Sequence, residues 1–422
     1  MKTLIYIILG IFLVATVAEG QGPQWRVYTP QNSGLPFPSI RALATEKDSL
    51  ERNIIWMGVG GLTKFDGIIW TVYNSTNSGM VGGAWTIALD QKNSKWIGSN
   101  TAGITKFDGL TWNHYDTSNS PIPAQWIWEI FIDKNDTKWI GTGFSGLVKF
   151  EDTTWTVYNE ENSGIPGRRI RGVSSVDDIL WIGTDGNGVG KLEDTSWTNY
   201  DTSNSGLTND DISDIDIDGK GNKWILTFGG GLNKFNSSDT VWTYFPGPGT
   251  CLLIDEKRNV KWMGSPGGGL FKFYNDSIMT NYRPENSPMP DYTVNDLSLD
   301  SSGNLWIATN GGLAVFNESG IVGVDDPAII NVPVSAKLFQ NYPNPFNPTT
   351  RIRYELRKPS LVELKIYNSI GAEIQTLANE YQQPKSHEVV FYAFDNLSSG
   401  VYYYVLKVDG VYTNSKKFVY LK

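Results

Sequence analysis

Seven copies of a tryptophan triplet constrain the fold of this chain more than any other feature of its sequence. The triplet has the form Trp-[Ile/Met]-[Gly/Leu/Ala] and recurs at intervals of 38 to 44 residues. The copies begin at Trp56, Trp96, Trp139, Trp181, Trp224, Trp262 and Trp306. A period of this length is typical of a propeller blade, in which each repeat forms one small sheet that must stack on its neighbours. The sequence therefore predicts an all-β chain with a seven-bladed β-propeller over residues 21–318.

Each repeat reads as four short strands. In the fifth repeat, the residues from Ile212 to Asp218 alternate as an inner strand and run into a tight turn. The triplet is the second strand, a Gly-Leu-x-Lys-Phe segment is the third and a Trp-Thr-x-Tyr segment is the fourth. The repeat at Trp306 has no fourth strand, whereas Trp25 to Tyr28 precede the first repeat. We expect this N-terminal strand to complete the last blade, because closure removes two open sheet edges.

The N-terminus has the layout of a secretory signal peptide. Lys2 precedes a fourteen-residue apolar run from Leu4 to Val17, and small residues follow at Ala18 and Gly20. This run is too short to span a bilayer, so we assign residues 1–20 to a signal peptide and expect no transmembrane segment in the mature chain. Residues 21–330 carry 23 basic and 36 acidic residues. Such an acidic balance argues against nucleic acid as a partner.

The blade pattern stops after Phe316, and residues 319–336 read as a linker. Six short alternating segments then lie between Arg351 and Leu421. They predict a small Ig-like β-sandwich over residues 337–422.

Two parts of the chain resemble known families. The segments Trp181-Ile182-Gly183-Thr184 and Gly311-Gly312-Leu313 resemble the two-component-regulator type of propeller repeat, which supplies periplasmic sensor portions of hybrid signalling proteins. The C-terminal domain opens with the motif Leu338-Phe339-Gln340-Asn341-Tyr342-Pro343-Asn344-Pro345-Phe346-Asn347-Pro348-Thr349-Thr350. With the later segments at 366–371, 397–402 and 416–418, this motif closely resembles a type A sorting domain of type IX secretion.

The second resemblance implies a transport route. An outer-membrane translocon would recognise residues 337–422, and the protein would be secreted or held on the outer cell surface. From the residues alone, an accessory carbohydrate-binding sandwich is the alternative reading of this domain.

Few residues offer catalytic or metal-binding chemistry, and we predict no cofactor and no metal. The chain has two histidines, His114 and His387, and one cysteine, Cys251, which lies in the pattern of a buried inner strand. Four aspartates recur six residues before their tryptophan, where a carboxylate can cap the turn. They are Asp90, Asp133, Asp218 and Asp300. The Asp214-x-Asp216-x-Asp218 segment lacks the final glutamate of a calcium loop.

Three tryptophans remain when those of the repeat are subtracted: Trp85, Trp126 and Trp128. They fall where the chain enters the inner strands of the second and third blades, at one end of the central channel. Alignment of the inner strands puts Arg41, Trp85, Trp128, Arg171, Ser213 and Asn295 at one equivalent position. The adjoining loops carry Phe37, Arg168, Arg169, Asp210, Asp211 and Tyr292. We take Trp85, Trp126, Trp128, Arg41, Arg171, Asn295 and Tyr292 as candidate ligand-binding residues.

The chemistry of these residues leaves several functions open. Indole faces stack on sugar rings or apolar peptide groups, and arginine binds carboxylates or sulfates, so we expect a surface or secreted protein that binds glycan or protein ligands. The alternatives are that the tryptophans only fill the channel, that the propeller is a scaffold, or that it is a polysaccharide lyase or hydrolase. The enzyme would need a pair of acids outside the repeat, or an arginine with a tyrosine, converging at the channel.

Overall fold

The computed structural model describes residues 24–48, 51–274, 277–323, 336–356, 359–368, 373–394, 397–408 and 411–422. The predicted signal peptide and most of the predicted linker lie outside these ranges. The chain divides into two compact units, Met1–Val324 and Asp325–Lys422. Within the described ranges every regular element is a β-strand, and none of them contains a helix long and apolar enough to cross a membrane.

The first unit consists of seven antiparallel four-stranded sheets, numbered here in chain order. The N-terminal strand is β1 (Trp25–Tyr28). Sheet 1 is β2 (Leu43–Lys47), β3 (Asn53–Gly58), β4 (Leu62–Phe65) and β5 (Trp70–Tyr73). Sheet 2 is β6 (Thr86–Leu89), β7 (Lys95–Gly98), β8 (Ile104–Phe107) and β9 (Trp112–Tyr115). Sheet 3 is β10 (Ile127–Ile132), β11 (Lys138–Thr142), β12 (Leu147–Glu151) and β13 (Thr154–Tyr158).

The remaining sheets follow the same order. Sheet 4 is β14 (Ile170–Val176), β15 (Ile179–Thr184), β16 (Val189–Glu193) and β17 (Ser196–Tyr200). Sheet 5 is β18 (Ile212–Ile217), β19 (Lys223–Thr227), β20 (Gly231–Phe235) and β21 (Trp242–Phe245). Sheet 6 is β22 (Cys251–Asp255), β23 (Val260–Ser265), β24 (Gly269–Tyr274) and β25 (Ser277–Tyr282). Sheet 7 is β26 (Val294–Leu299), β27 (Leu305–Thr309) and β28 (Leu313–Phe316), with β1 as its fourth strand.

The sheets form a closed ring through their inner strands. The inner strands contact one another in the order β2, β6, β10, β14, β18, β22, β26 and back to β2. The predicted N-terminal strand pairs with β28, with Trp25 opposite Phe316 and the two rings 4.4 Å apart. Between sheets 7 and 1, Asp296 accepts a hydrogen bond from the Leu43 amide at 2.7 Å. The N-terminal strand thus completes sheet 7, and the Asp296 side chain joins sheet 7 to sheet 1.

The repeated aspartates hold the turns that follow the inner strands, as predicted. In sheet 5, Oδ1 of Asp218 accepts the backbone N–H of Asn222 at 2.9 Å, and Oδ2 accepts Nε1 of Trp224 at 2.9 Å. The same Asp–Trp bond forms in sheets 2, 3 and 7. We call this end of the inner strands the turn end, and the opposite end, where the chain enters from the long loops, the loop end. The lone cysteine, Cys251, is buried in β22 as expected.

A second recurrent feature lies in the long loops that connect one sheet to the next at the loop end. Each long loop carries an Asn-Ser pair whose asparagine amide bonds the preceding outer strand, as Asn77 Nδ2 does with the Val72 carbonyl at 2.8 Å. Two or three residues later an apolar side chain is buried, such as Met80 or Leu207. These loops therefore pack as part of the repeat.

The boundary of the first unit lies beyond the predicted one. Asn304 Nδ2 donates to the Val322 carbonyl at 2.7 Å, and the Val322 amide donates to Oδ1 of Asn304 at 3.1 Å. The segment 319–323, expected as the start of the linker, is therefore tied to sheet 7.

The second unit contains two sheets. One has the order β29 (Ala336–Leu338), β30 (Thr349–Leu356) and β33 (Ser386–Tyr392). The other has the order β32 (Glu373–Gln382), β31 (Ser360–Tyr367), β34 (Gly400–Val408) and β35 (Val411–Tyr420). Their shared core includes Phe346, Tyr354, Phe391, Tyr404 and Phe418. Phe346 belongs to the proline-rich motif, so this motif anchors the start of the domain in its core.

Candidate functional site

One position at the loop end varies in chemistry from sheet to sheet. In each sheet, one residue near the start of the inner strand lies opposite the third residue of the tryptophan triplet. The variable position is the residue immediately before it. Its occupants are Arg41, Trp85, Trp128, Arg171, Ser213, Thr250 and Asn295. The register places the six aligned residues at equivalent sites and adds Thr250 in sheet 6, which the sequence alignment had missed.

A β-bulge frees this position from the regular alternation of the strand in four sheets. In sheet 3, Ile127 lies opposite Thr142 and Glu129 opposite Gly141, so Trp128 is the extra residue. The register shifts at the same place in sheets 4, 5 and 7. A bulge re-aims one side chain without disturbing the apolar residues on either side.

Aromatic side chains of sheet 3 gather at this end and contact an arginine of sheet 4, which in turn contacts sheet 5. The rings of Trp126 and Trp128 meet edge to face with centroids 5.4 Å apart. Phe144, from the loop between β11 and β12, packs 5.2 Å from Trp126 and is 43% exposed. The Arg171 guanidinium of sheet 4 lies 4.3 Å from the Trp128 ring and 5.1 Å from the Phe228 ring of sheet 5. We call Trp126, Trp128 and Phe144 the aromatic platform.

Two arginines and two aspartates adjoin the platform. Nη2 of Arg171 donates to Oδ2 of Asp185 at 3.1 Å, and Nη1 of Arg169 lies 3.5 Å from the same oxygen. The carboxyl groups of Asp185 and Asp211 share a hydrogen bond, and their backbones form an isolated β-bridge. The Arg169 guanidinium also lies 4.9 Å from the ring of Phe144. We call Arg169, Arg171, Asp185 and Asp211 the ion cluster.

The two carboxyl groups of the ion cluster differ in acidity. Burial, the hydrogen bond with Asp185 and the negative charge of Asp185 raise the pKa of Asp211 to about 6. Burial also disfavours the charge of Asp185, but hydrogen bonds from Asp211 and Arg171 outweigh it and lower the pKa of Asp185. The pair therefore holds one proton between its two carboxyl groups below about pH 6 and loses it as the pH rises past that value.

Three polar atoms at this site are covered and lack a hydrogen-bond partner within the described ranges. They are Nε1 of Trp126, Nε of Arg171 and Oδ1 of Asp211. A covered polar group without a partner costs about 1–3 kcal/mol, and native proteins keep few of them. At this site, therefore, the described side chains do not satisfy every covered polar group.

The other predicted residues lie apart from the platform. The Arg41 guanidinium is 5.5 Å from the Trp85 ring, and Trp85 is exposed; among the described residues, no ring contact joins Trp85 to the platform. Tyr292 is exposed and donates its hydroxyl hydrogen to Glu285. The prediction had grouped all three leftover tryptophans, whereas the contacts join only Trp126 and Trp128.

Asn295 and Ser213 occupy the variable position and also form hydrogen bonds to neighbouring sheets. Nδ2 of Asn295 donates to the Ile40 carbonyl at 2.7 Å and to Oδ1 of Asn310 at 3.0 Å. Oγ of Ser213 lies within hydrogen-bond distance of the Gly249 carbonyl, at 3.3 Å. Both side chains therefore hold neighbouring inner strands together.

Further along the inner strands, three carboxyl groups interact inside the ring. Burial, with the charges of Asp214 and Asp296, raises the pKa of Glu129 well above its ordinary value. Burial raises the pKa of Asp214 to about 8 and that of Asp296 to about 7, against hydrogen bonds from the Leu252 and Leu43 amides. Asp214 and Asp296 each accept an amide of the next sheet, so they join adjacent strands.

Two cavities open at the turn end. One of about 410 Å³ lies between sheets 2 and 3, and one of about 240 Å³ lies between sheets 5 and 6. The larger is lined by Trp96 with the ammonium groups of Lys106 and Lys138 at 5.0 and 5.4 Å from its ring. Lysines over the triplet tryptophans recur around the ring, so these cavities belong to the repeat.

Sequence reasoning missed Asp185, Phe144 and Phe228. All three follow the tryptophan triplet, in the loops that lead from the second to the third strand. The signal was present in the sequence. These loops carry no charged or aromatic residue in sheets 1, 2, 6 and 7, whereas each of sheets 3 to 5 has one.

Comparison with known families identifies the second unit. Residues 340–421 match the family model of the secretion system C-terminal sorting domain. No curated protein matches the chain. The resemblance of the proline-rich motif and its companion segments to a sorting domain is confirmed.

Solved structures similar to the chain are β-propellers. One is the extracellular domain of the hybrid two component system BT3049 from B. thetaiotaomicron, with 17% identity, a TM-score of 0.60, and coverage of 94% of this chain and 57% of that one. PorZ, a surface component of the type IX secretion system of Porphyromonas gingivalis, has 17% identity, a TM-score of 0.54, and coverage of 92% and 60%. Streptogramin B lyase has 14% identity, a TM-score of 0.55, and coverage of 69% and 97%.

The chain spans less than two thirds of the length of the first two of these structures. At such identities the likeness establishes only the fold of the repeat region, a β-propeller.

Proposed function

We propose that the propeller is a binding module for glycan or protein ligands. The chain carries a secretion sorting domain and is therefore a secreted or cell-surface protein. In this proposal the seven sheets are the blades of one closed propeller, and residues 337–422 are an Ig-like sandwich. The sorting domain implies type IX secretion machinery as the export partner.

The observation that carries the proposal is the aromatic platform beside the ion cluster. Trp126 and Trp128 are half-buried and Phe144 is exposed, so the platform presents an apolar edge. The Arg171 guanidinium lies 4.3 Å from the Trp128 ring and donates to Asp185. Sugars present apolar C–H faces together with hydroxyl groups, which suit aromatic rings and charged hydrogen-bonding groups respectively. Glycan is therefore the ligand class to test first.

The alternative of a polysaccharide-degrading enzyme is favoured by one observation. Asp185 and Asp211 are a pair of acids outside the repeat, with pKa values shifted in opposite directions, as acid and base roles require. Release of new reducing ends or unsaturated products from a bound polysaccharide would indicate catalysis, and binding without release would indicate a binding module.

The test uses the full chain and a panel of neutral and acidic polysaccharides. Trp126→Ala with Trp128→Ala should weaken binding at least tenfold, because the stacking surface is lost, and Tyr244→Ala, an exposed aromatic on the outer strand of sheet 5, should leave it unchanged. Affinity is measured by calorimetry and folding by circular dichroism. Unchanged binding by a folded platform variant would remove the site.

A further inference from the structure

The arginines of the first unit are concentrated at the ion cluster. Three of the eight arginines between residues 21 and 323 fall within residues 168–171, in a region where acidic residues outnumber basic ones. Arg168 is exposed, and both Arg169 and Arg171 reach the same oxygen of Asp185. A general need for solubility does not explain this placement, because the rest of the unit is acidic.

The charges of the ion cluster do not balance while Asp211 holds a proton. Two guanidinium groups face one ionised carboxylate, Asp185, which leaves a surplus of one positive charge. The surplus disappears when Asp211 ionises. Around Asp211, the titratable or charged neighbours are Asp185 on the loop after β15 and Arg169 and Arg171 at the start of β14. Asp210, on the loop of Asp211 itself, accepts hydrogen bonds from Thr202, and Phe228 on the loop after β19 carries no charge.

The unpartnered atoms point in the same direction. Nε of Arg171 is a donor without a partner in the described chain, and it lies between the rings of Trp128 and Phe228. Nε1 of Trp126 is a second such donor. These two donors are covered, whereas the Arg169 side chain is 42% exposed and can be reached from outside. Accessible guanidinium donors beside a net positive charge suit an anionic group with several acceptor oxygens.

We propose that the ion cluster is a subsite for the carboxylate or sulfate group of an acidic sugar, and that the proton held between Asp185 and Asp211 is required for its full affinity. This inference rests on the proposed glycan-binding function and names the ligand class of the same site. The sugar ring lies against the aromatic platform, and its anionic group takes up the surplus charge of Arg169 and Arg171. Loss of the proton from Asp211 cancels that surplus and places a second carboxylate near the ligand.

The experiment compares matched polymers at two pH values with the full chain. Polygalacturonate is compared with its carboxyl-reduced neutral form, and dextran sulfate with dextran, so that the carboxylate and the sulfate are tested separately. Wild type should bind at least one acidic polymer at pH 5 and exceed its neutral counterpart at least tenfold. Because Asp211 titrates near pH 6, affinity for the acidic polymer should fall about tenfold between pH 5 and pH 8.

Three variants and one control distinguish the effect of the ion cluster from that of the protein's overall negative charge. Asp211→Asn keeps the neutral state at all pH values, so it should bind at pH 8 as wild type binds at pH 5. Arg171→Gln and Arg169→Gln should each lower the affinity for the acidic polymer at least tenfold. Because the Arg169 side chain is exposed, its substitution should not affect folding. Arg283→Gln, on a loop of sheet 6, is the matched control and should bind as wild type does.

The outcomes distinguish this inference from the proposed function. If the platform variants lose binding while the arginine variants keep it, or if Asp211→Asn retains the pH dependence, the subsite is wrong and glycan binding stands. If neither acidic polymer exceeds its neutral form, the subsite is also wrong. If polyglutamate binds better than both acidic polymers, the anionic ligand is a peptide and the sugar assignment is overturned.

Discussion

The two ends of the inner strands differ in what their side chains do. At the turn end, sheets 2, 3, 5 and 7 carry the same aspartate and tryptophan, and each indole N–H finds its carboxylate. At the loop end, the equivalent position holds five residue types, and three covered polar atoms near it lack partners. The comparison teaches that repeated residues stabilise the ring, whereas the side chains that depart from the repeat gather at the loop end, where we propose the binding site.

The largest effect on stability is expected at the turn end. Asp218→Ala removes the acceptor for two turn amides and leaves the fully buried Nε1 of Trp224 without a partner. The free energy of unfolding should fall by about 2–4 kcal/mol, measured by urea denaturation, while glycan affinity at 25 °C is unchanged. Glu160→Ala, at an exposed loop carboxylate, is the control, and equal losses in the two variants would show that the Asp–Trp pair does not hold the turn.

A smaller effect on stability is expected from the buried carboxyl groups inside the ring, between the turn end and the loop end. Because burial raises the pKa of Asp214 to about 8, the folded chain keeps a proton that the unfolded chain releases above about pH 4. The stability linked to this proton is complete below pH 4 and is lost as the pH rises to about 8. Asp214→Asn keeps an acceptor for the Leu252 amide without the charge.

The Asp214→Asn variant should therefore be more stable than wild type at pH 8, by about 1–3 kcal/mol, and the difference should shrink towards pH 4. Urea denaturation across this range measures it. If the difference in stability does not change with pH, Asp214 is ionised in the folded ring. The ring interior would then be charged, as the loop end is.

The sequence was sufficient for the repeated parts of the fold. The triplet spacing and the Asp–Trp offset predicted the four strands of each sheet, and the orphan strand at Trp25 predicted its pairing with β28. Such features are readable because every copy meets the same packing environment. Thr250 was missed because sheet 6 has the shortest spacing and no aspartate six residues before Trp262.

The candidate site was predictable only in part. Trp126, Trp128 and Arg171 stood out as departures from the repeat. The contacts of Arg171 with the Trp128 and Phe228 rings, however, depend on how sheets 3, 4 and 5 stack. Trp85 stood out equally and lies with Arg41 instead. A linear pattern shows which residues are spare, whereas the angle between neighbouring sheets decides which of them meet.

The most direct test replaces two of the residues that depart from the repeat at the loop end. Trp128→Thr with Arg171→Thr gives sheets 3 and 4 the residue that sheet 6 carries at this position, Thr250. The measurement is the calorimetric affinity for polygalacturonate at pH 5, alongside thermal unfolding of the same protein. We predict that the variant unfolds at nearly the wild-type temperature and that its affinity falls at least tenfold. Wild-type affinity in the folded variant would contradict the assignment of the binding site to the departures from the repeat.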